Sequence, residues 1–261
     1  MINHNFKKKF GQNFLSDDNI IEKIIKSANL EDNSLTIEIG PGSGVLTKRL
    51  VEKSKVLAYE IDTDLKDVLC SQFENNENIE IIFDDFLNRN IKEDIKKYKY
   101  NKLYVVANLP YYITTPIIEK IINEELDVEK IVIMVQKEVG ERFSATVGNK
   151  DYSSITVFLN YYFNIKKEFI VSKNSFYPKP NVDSMVISFT KKEKKLSLKD
   201  KELFFKIIRD SFKYKRKTLK NNLRDYDFEK IKLILLKHNF SENVRAEQIP
   251  LEIFAEISNI I

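Results

Sequence analysis

Five short apolar runs, each followed by a helix-like stretch or a turn, constrain this chain more than any other feature. Residues 35–39, 55–61, 79–83, 103–107 and 131–136 are rich in β-branched and aliphatic side chains. Helical patterns fit between them, from the glycine-rich turn after Ile39 through Leu50 and at 62–74, 91–97 and 115–123. An earlier amphipathic helix is marked by Ile20, Ile24 and Ile25, with Ser16 and Asp17 placed to cap it. Short strands alternating with helices predict an α/β fold, a doubly wound and mostly parallel sheet covered on both faces. At 261 residues and 43% hydrophobic composition, the chain can bury such a core.

Further strand patterns at 155–163, 169–171 and 182–189 lie too close together for long crossovers, so some are expected to be antiparallel and at an edge. Four lysines in residues 191–195 read as a charged linker. Beyond it the pattern is helical: Phe204, Ile207, Ile208 and Phe212 define one helix, Leu233 and Leu236 a later one, and 253–257 a last. The expected division is a core domain over 1–194, with a basic arm at 1–16, and a small all-helical domain over 195–261.

Composition excludes several functions. Cys70 is the one cysteine, and His4 and His238 are the two histidines, so a disulfide or a His/Cys zinc centre is not expected. Cys70 itself reads as small core filler on a helix. The Lys-rich N-terminus lacks the apolar stretch of a signal peptide, and residues 103–123 are broken by charge and proline. These features point to a cytoplasmic protein with no membrane or metal partner.

The turn Glu38-Ile39-Gly40-Pro41-Gly42-Ser43-Gly44 joins the first of the five runs to a helix. Its glycines let backbone approach a ligand, and the following helix offers free N–H groups. A dinucleotide fingerprint needs glycine where Val45 stands, which argues against an NAD enzyme. Glu38 would repel a pyrophosphate. Glu60, ending the second run, can take both hydroxyls of a ribose, and Asp85, after the third, can accept from an adenine amine. This pattern suits S-adenosyl-L-methionine. Alone, the glycines read equally well as a turn, and the acids as surface charges.

Asn108-Leu109-Pro110-Tyr111 follows the fourth run, at the carboxyl edge where open α/β sheets bind ligands. An adenine amine is a poor nucleophile because its lone pair is delocalised into the ring. The Asn108 side-chain oxygen and the Leu109 carbonyl can accept its two N–H bonds and localise that lone pair. Pro110 stiffens the turn, and Tyr111 can stack on the base. The target must be unpaired or flipped out. Without this context the tetrapeptide is an ordinary strand-to-turn sequence.

Lys213, Arg216, Lys217, Lys220 and Arg224, with Lys215, form a basic cluster in which Lys213, Lys217, Lys220 and Arg224 fall at helical spacing. Such a helix face can grip RNA phosphates, although most charge runs are simply solvated. Lys7, Lys8 and Lys9 offer a second phosphate contact.

Taken together these segments closely resemble the KsgA family of ribosomal RNA adenine dimethyltransferases. The resemblance runs from Lys9-Phe10-Gly11-Gln12-Asn13-Phe14-Leu15 through residues 38–44, 108–111 and 135–139 with Arg142, then Phe176-Tyr177-Pro178-Lys179-Pro180. It closes with residues 216–223 and 245–248. It implies a Rossmann-like class I methyltransferase domain with a helical appendage. It also implies transfer of two methyl groups to N6 of each of two adjacent adenosines near the 3′ end of small-subunit (16S) rRNA, with S-adenosyl-L-homocysteine as product. Asn13, Leu15, Gly40, Gly42, Glu60, Asp85 and Asn108 would border the cofactor, and Tyr111 and Phe176 would face the target base. The implied partner is rRNA in an immature 30S-type particle, met by a monomeric enzyme. The related macrolide-resistance enzymes, which act on 23S rRNA, usually carry Ile at the Leu109 position. A ribosome-assembly factor whose binding role dominates is the other alternative.

Overall fold

The computed structural model describes residues 14–15, 17–109, 113–193 and 196–261. They form two compact units, one from residues up to Gly140 with Lys166–Thr190, the other from Glu141–Ile165 with Lys191–Ile261. The helical unit is therefore built from two stretches of chain, not from residue 195 onward.

In the first unit, β1 (Phe14–Leu15) precedes α1 (Asp18–Ala28), and then come β2 (Leu35–Ile39), α2 (Val45–Leu50), β3 (Lys55–Tyr59), α3 (Lys66–Phe73) and β4 (Ile79–Ile82). There follow α4 (Ile91–Ile95), β5 (Leu103–Asn108), α5 (Thr114–Asn123), β6 (Val128–Gln136) and α6 (Lys137–Phe143), the last running across the boundary between the units. Asp17 caps α1 by accepting from the Asn19 N–H; Ser16 lies outside the described residues. The five apolar runs are all strands, as the sequence predicts.

The strand pattern at 155–163 is not borne out. This segment is the helix α7 (Ser154–Tyr162), followed by β7 (Phe163–Val171), β8 (Phe176–Tyr177) and β9 (Ser184–Lys191). Its β-branched residues Ile155, Thr156 and Val157 favour a strand locally, but helix formation buries Thr156, Val157, Leu159 and Tyr161. Val157 and Tyr161 join the core of the helical unit. The Ser153 N–H also donates to Thr156 Oγ1 at 3.1 Å, and that hydroxyl donates to the Arg142 carbonyl at 2.7 Å, fixing the first turn. Packing overrides intrinsic propensity here.

The seven-stranded sheet has the order β4-β3-β2-β5-β6-β9-β7. Its pairs β4–β3, β3–β2, β2–β5 and β5–β6 are parallel, and β9 joins β6 antiparallel. β2 is buried along its whole length, as a central parallel strand covered on both faces must be. On one face lies a core of Ile21, Ile24 and Ala28 from α1, Leu50 from α2, and Val56, Val106 and Met134 from the strands.

Cys70 is exposed, contrary to the filler expectation. α3 turns Leu69 and Phe73 inward, together with Leu65 of the preceding turn, at a spacing of four. That spacing sends position 70 outward.

The helical unit adds α8 (Lys201–Ser211), α9 (Leu219–Asn222), α10 (Phe228–Lys237) and α11 (Leu251–Ile260). Phe204, Ile207, Ile208, Leu219, Leu223, Ile231, Leu235 and Phe254 pack with α7 into its core. Leu233 and Leu236, the residues that marked α10 in the sequence, are exposed. Ile231 and Leu235 are the ones buried.

Candidate active site

Parallel register brings the candidate residues to one edge of the sheet. Ile39 lies beside Tyr59 on one side and Ala107 on the other, so Gly40 and Glu60 follow two adjacent strands and Asn108 ends a third beside them. This is the point where the strand order reverses around β2, the place where open α/β sheets take ligands. The Gly40 N–H donates to the Tyr59 carbonyl, and the Glu60 N–H to the Ile82 carbonyl, both at 2.9 Å.

The glycine loop passes through left-handed backbone at Gly40 (φ 72°), Gly42 (φ 57°) and Gly44 (φ 75°). Only glycine adopts that conformation without strain. Space separates their roles. Among the described residues a Cβ on Gly40 would meet nothing within 4 Å, whereas one on Gly44 would lie 2.4 Å from Gln72 Nε2. Gly44 is held to glycine by its left-handed φ, and Phe73 and Leu69 crowd the same Cβ position at 3.0 and 3.2 Å, while Gly40 leaves room above the strand end among the described residues.

Glu60 is buried and tied to its own chain. Oε2 accepts the Gly42 N–H at 3.0 Å and Oε1 the Asp62 N–H at 2.8 Å. Burial raises its pKa, and those two backbone donors oppose the rise. It therefore latches the glycine loop to the end of β3, a structural role that sequence reasoning did not foresee. Each oxygen keeps a lone pair for a further donor. Asp85, partly exposed, also has a local role: it caps the turn Phe86–Asn88, accepting the Leu87 N–H at 2.9 Å.

Glu38 is the strained group. It is 1% exposed, and its Oε2 has no hydrogen-bond partner among the described residues. Burial pushes its carboxyl up to about 8, and the neighbouring Glu60 adds to the rise. A buried polar atom without a partner is costly. This one lies directly before the open glycine turn, where a cationic ligand would satisfy it. Ile61, between Glu60 and Asp62, is 47% exposed and offers apolar surface at the same edge. Sequence reasoning missed it because an apolar residue ending a strand pattern looks like core.

Asn108 ends β5 opposite Met134 of β6. Leu109 follows with its side chain buried and its N–H donating to the Met134 carbonyl at 3.3 Å. That bond ties the Asn108–Leu109 peptide to the end of β6. Pro110 and Tyr111 lie outside the described residues, as do Asn13, Lys7, Lys8 and Lys9.

Leu15 and Phe176, which spacing alone did not connect, are antiparallel partners in the β1–β8 ribbon. Both are buried in the cluster beside Val106 and Met134. Phe176 is only 5% exposed. It packs as a core aromatic in this state, and neighbouring side chains would have to yield for its ring to face a base.

The basic cluster is not the continuous helix face that its spacing suggests. Lys213, Lys215, Arg216 and Lys217 lie in the turn between α8 and α9, Lys220 in the four-residue α9, and Arg224 just beyond it. Asn222 breaks the helical path: its side chain bonds back to the Ser211 and Tyr214 carbonyls. All six cations are exposed. Lys220 shares Glu242 with Lys232, at 3.5 and 2.6 Å, and Arg224 lies 3.8 Å from Asp225. Lys215, Arg216 and Lys217 carry no ion pair among the described residues. Among those residues there is also no group of three potential metal ligands, and no helix is long and apolar enough to cross a membrane.

Residues 3–261 match the family described as ribosomal RNA adenine dimethylase. The chain is 44% identical to Ribosomal RNA small subunit methyltransferase A of Aster yellows witches'-broom phytoplasma, over 98% of this chain and 96% of that one. It is 40% identical to the protein of the same name from Streptococcus gordonii, over 98% and 92%. In structure it resembles a dimethyladenosine transferase from Plasmodium falciparum, with a TM-score of 0.74 and 26% identity across 92% of this chain and 94% of that one. The 23S rRNA methyltransferase ErmE shares the fold, with a TM-score of 0.76 at 24% identity over 93% and 96%. A sheet edge that gathers Gly40, Glu38, Glu60 and Asn108, and a match over nearly the whole length, agree: this chain belongs to the ribosomal RNA adenine dimethylase family.

Proposed function

We propose that this protein transfers methyl groups from S-adenosyl-L-methionine to N6 of two adjacent adenosines near the 3′ end of small-subunit rRNA. The observation that carries the reading is the buried Glu38 carboxyl, whose Oε2 has no hydrogen-bond partner among the described residues, just before an open glycine turn and one strand away from Asn108-Leu109. The residues fit the cofactor. Glu38 suits its cationic end, the spare lone pairs of Glu60 its ribose hydroxyls, and Ile61 and Asp85 the adenine ring and amine. Leu15 would border the site, and Asn13 would join it.

The bound cofactor would supply a methyl group on a sulfonium, activated without acid assistance. The chain's task is to aim the acceptor. The Asn108 side-chain oxygen and the Leu109 carbonyl accept the N–H bonds of the target amine, and the bond from the Leu109 N–H to the Met134 carbonyl ties the Asn108–Leu109 peptide to β6. Fixed dipoles of this kind act without reorganisation during the reaction. The nitrogen becomes cationic on methylation and then loses its proton, so no histidine or carboxylate base is needed. Tyr111 and Phe176 would close on the two faces of the base.

The helical unit would hold the RNA backbone through Lys213, Arg216, Lys217, Lys220 and Arg224, with Lys7, Lys8 and Lys9 as a second contact. Structured RNA is read through shape and phosphate position. We therefore infer that the substrate is an immature small-subunit particle, met by a monomer in the cytoplasm. The exposed, unpaired Lys215, Arg216 and Lys217 also favour a binding role in subunit assembly. A catalytically dead variant that still restores subunit maturation would establish that role; failure to restore it would assign the whole function to methylation.

A further inference from the structure

The most basic segment of the helical unit carries an aromatic ring at its centre. Tyr214 is 57% exposed and is flanked by Lys213, Lys215, Arg216 and Lys217. The core of the unit does not account for an exposed tyrosine at this place.

Nor is the turn slack. Asn222, 9% exposed, grips the backbone of Tyr214 from both sides. The Tyr214 N–H donates to Asn222 Oδ1 at 3.2 Å, and Asn222 Nδ2 donates to the Tyr214 carbonyl at 3.3 Å and to the Ser211 carbonyl at 2.6 Å. The Lys217 N–H closes the turn on the same Tyr214 carbonyl at 2.9 Å. The Lys213 ammonium stands 5.7 Å from the ring centroid. The segment thus presents an aromatic face at a fixed backbone position, with cations on both sides in sequence. Preorganisation of this kind lowers the ordering cost of binding.

We propose that Tyr214 is a stacking platform for an unpaired base of the RNA, positioned by Asn222, while the surrounding cations take phosphates. Proteins that hold single-stranded nucleic acid combine these two elements, an aromatic face for a base and a basic track for the backbone. Bases splayed from loops and bulges are what such a face can take. The inference rests on the RNA-binding reading of the helical unit and adds to it a subsite that is not electrostatic.

That difference makes it testable. The full-length protein is titrated against small ribosomal subunits lacking the modification, and affinity is measured across a range of salt concentrations. Tyr214→Ala is expected to weaken binding by about 5- to 150-fold at every salt concentration, with the slope of log affinity against log salt unchanged. Tyr214→Phe should bind like the parent. Lys215→Ala and Arg216→Ala should each make the slope shallower by about 0.7–0.9. If these cation variants change the slope but Tyr214→Ala binds like the parent, the stacking inference alone is overturned. A slope change in Tyr214→Ala overturns it too, since the ring would then act only by placing charge. If the cation variants have no effect, the RNA-binding reading fails and takes the inference with it. Because Tyr214 is exposed, its variants should melt like the parent. For the positioning role, Asn222→Ala with Tyr214→Ala should bind no worse than Asn222→Ala alone; additive losses would remove Asn222 from the account.

Discussion

Replacing Glu38 with glutamine tests whether the glycine turn is built to be completed by a cation. The carboxyl is fully buried at about 8, against 4.5 in an unfolded chain, because burial disfavours its charge. Below pH 4.5 both states are protonated and the full stability is present. As pH rises from 4.5 to 8, the unfolded chain releases this proton while the folded chain keeps it, so stability falls; above 8 the loss is complete. At 1.36 kcal/mol per pH unit the loss reaches about 5 kcal/mol. Glutamine has the same shape and no charge to bury. Urea unfolding without cofactor should therefore show the two proteins nearly equal at pH 4.5, and Glu38→Gln the more stable by several kcal/mol at pH 9. Subtracting the two curves removes titrations common to both. A difference that does not vary with pH would refute the reasoning. Added S-adenosyl-L-methionine should reverse the ranking, because its positive charges favour the ionised carboxylate. At pH 7, calorimetry in buffers of different ionisation enthalpy should register proton release on binding to the parent and none with the variant.

Asn108→Ala should lower the methylation rate by about 10²–10³-fold, the usual effect of deleting one fixed dipole from a reacting centre, while cofactor affinity by calorimetry stays nearly unchanged. Full activity would remove Asn108 from catalysis. Gly44→Ala should destabilise the first unit by at least about 1–2 kcal/mol from backbone strain alone, and more from the clash with Gln72 and Phe73; an unchanged melting temperature would contradict the packing role. Asn222→Ala should cost about 1–3 kcal/mol, since it removes the side-chain donor from the buried Ser211 carbonyl; the Tyr214 carbonyl keeps the Lys217 N–H. Urea unfolding measures that loss.

The parallel sheet was legible in the sequence because its strands are covered on both faces. β2 is buried at every position, β3 at all but Lys55 and β5 at all but Asn108, so the three read as largely apolar runs, and the glycine turn and Asn108 fall at their ends. The local roles of the site residues were less visible. Nothing in the sequence shows that Glu60 binds the Gly42 N–H, because a contact between residues eighteen apart depends on strand register. The pairing of Leu15 with Phe176 is hidden for the same reason, since it joins segments 161 residues apart. At 154–162 the β-branched residues pointed the wrong way, and a core assembled from distant helices decided the outcome. The basic segment failed as a helix face because periodicity ignores Asn222, whose polar side chain bends the backbone into a turn. Chemistry at strand ends was readable; anything depending on how remote segments meet was not.

The site of methyl transfer can be read by incubating the protein with labelled S-adenosyl-L-methionine and ribosomal subunits lacking the modification, and then mapping modified bases on both rRNAs. N6,N6-dimethyladenosine is expected at two adjacent positions near the 3′ end of small-subunit rRNA and none on the large-subunit rRNA. Methylation confined to large-subunit rRNA, or no methyl transfer to adenine at all, would contradict the proposed function.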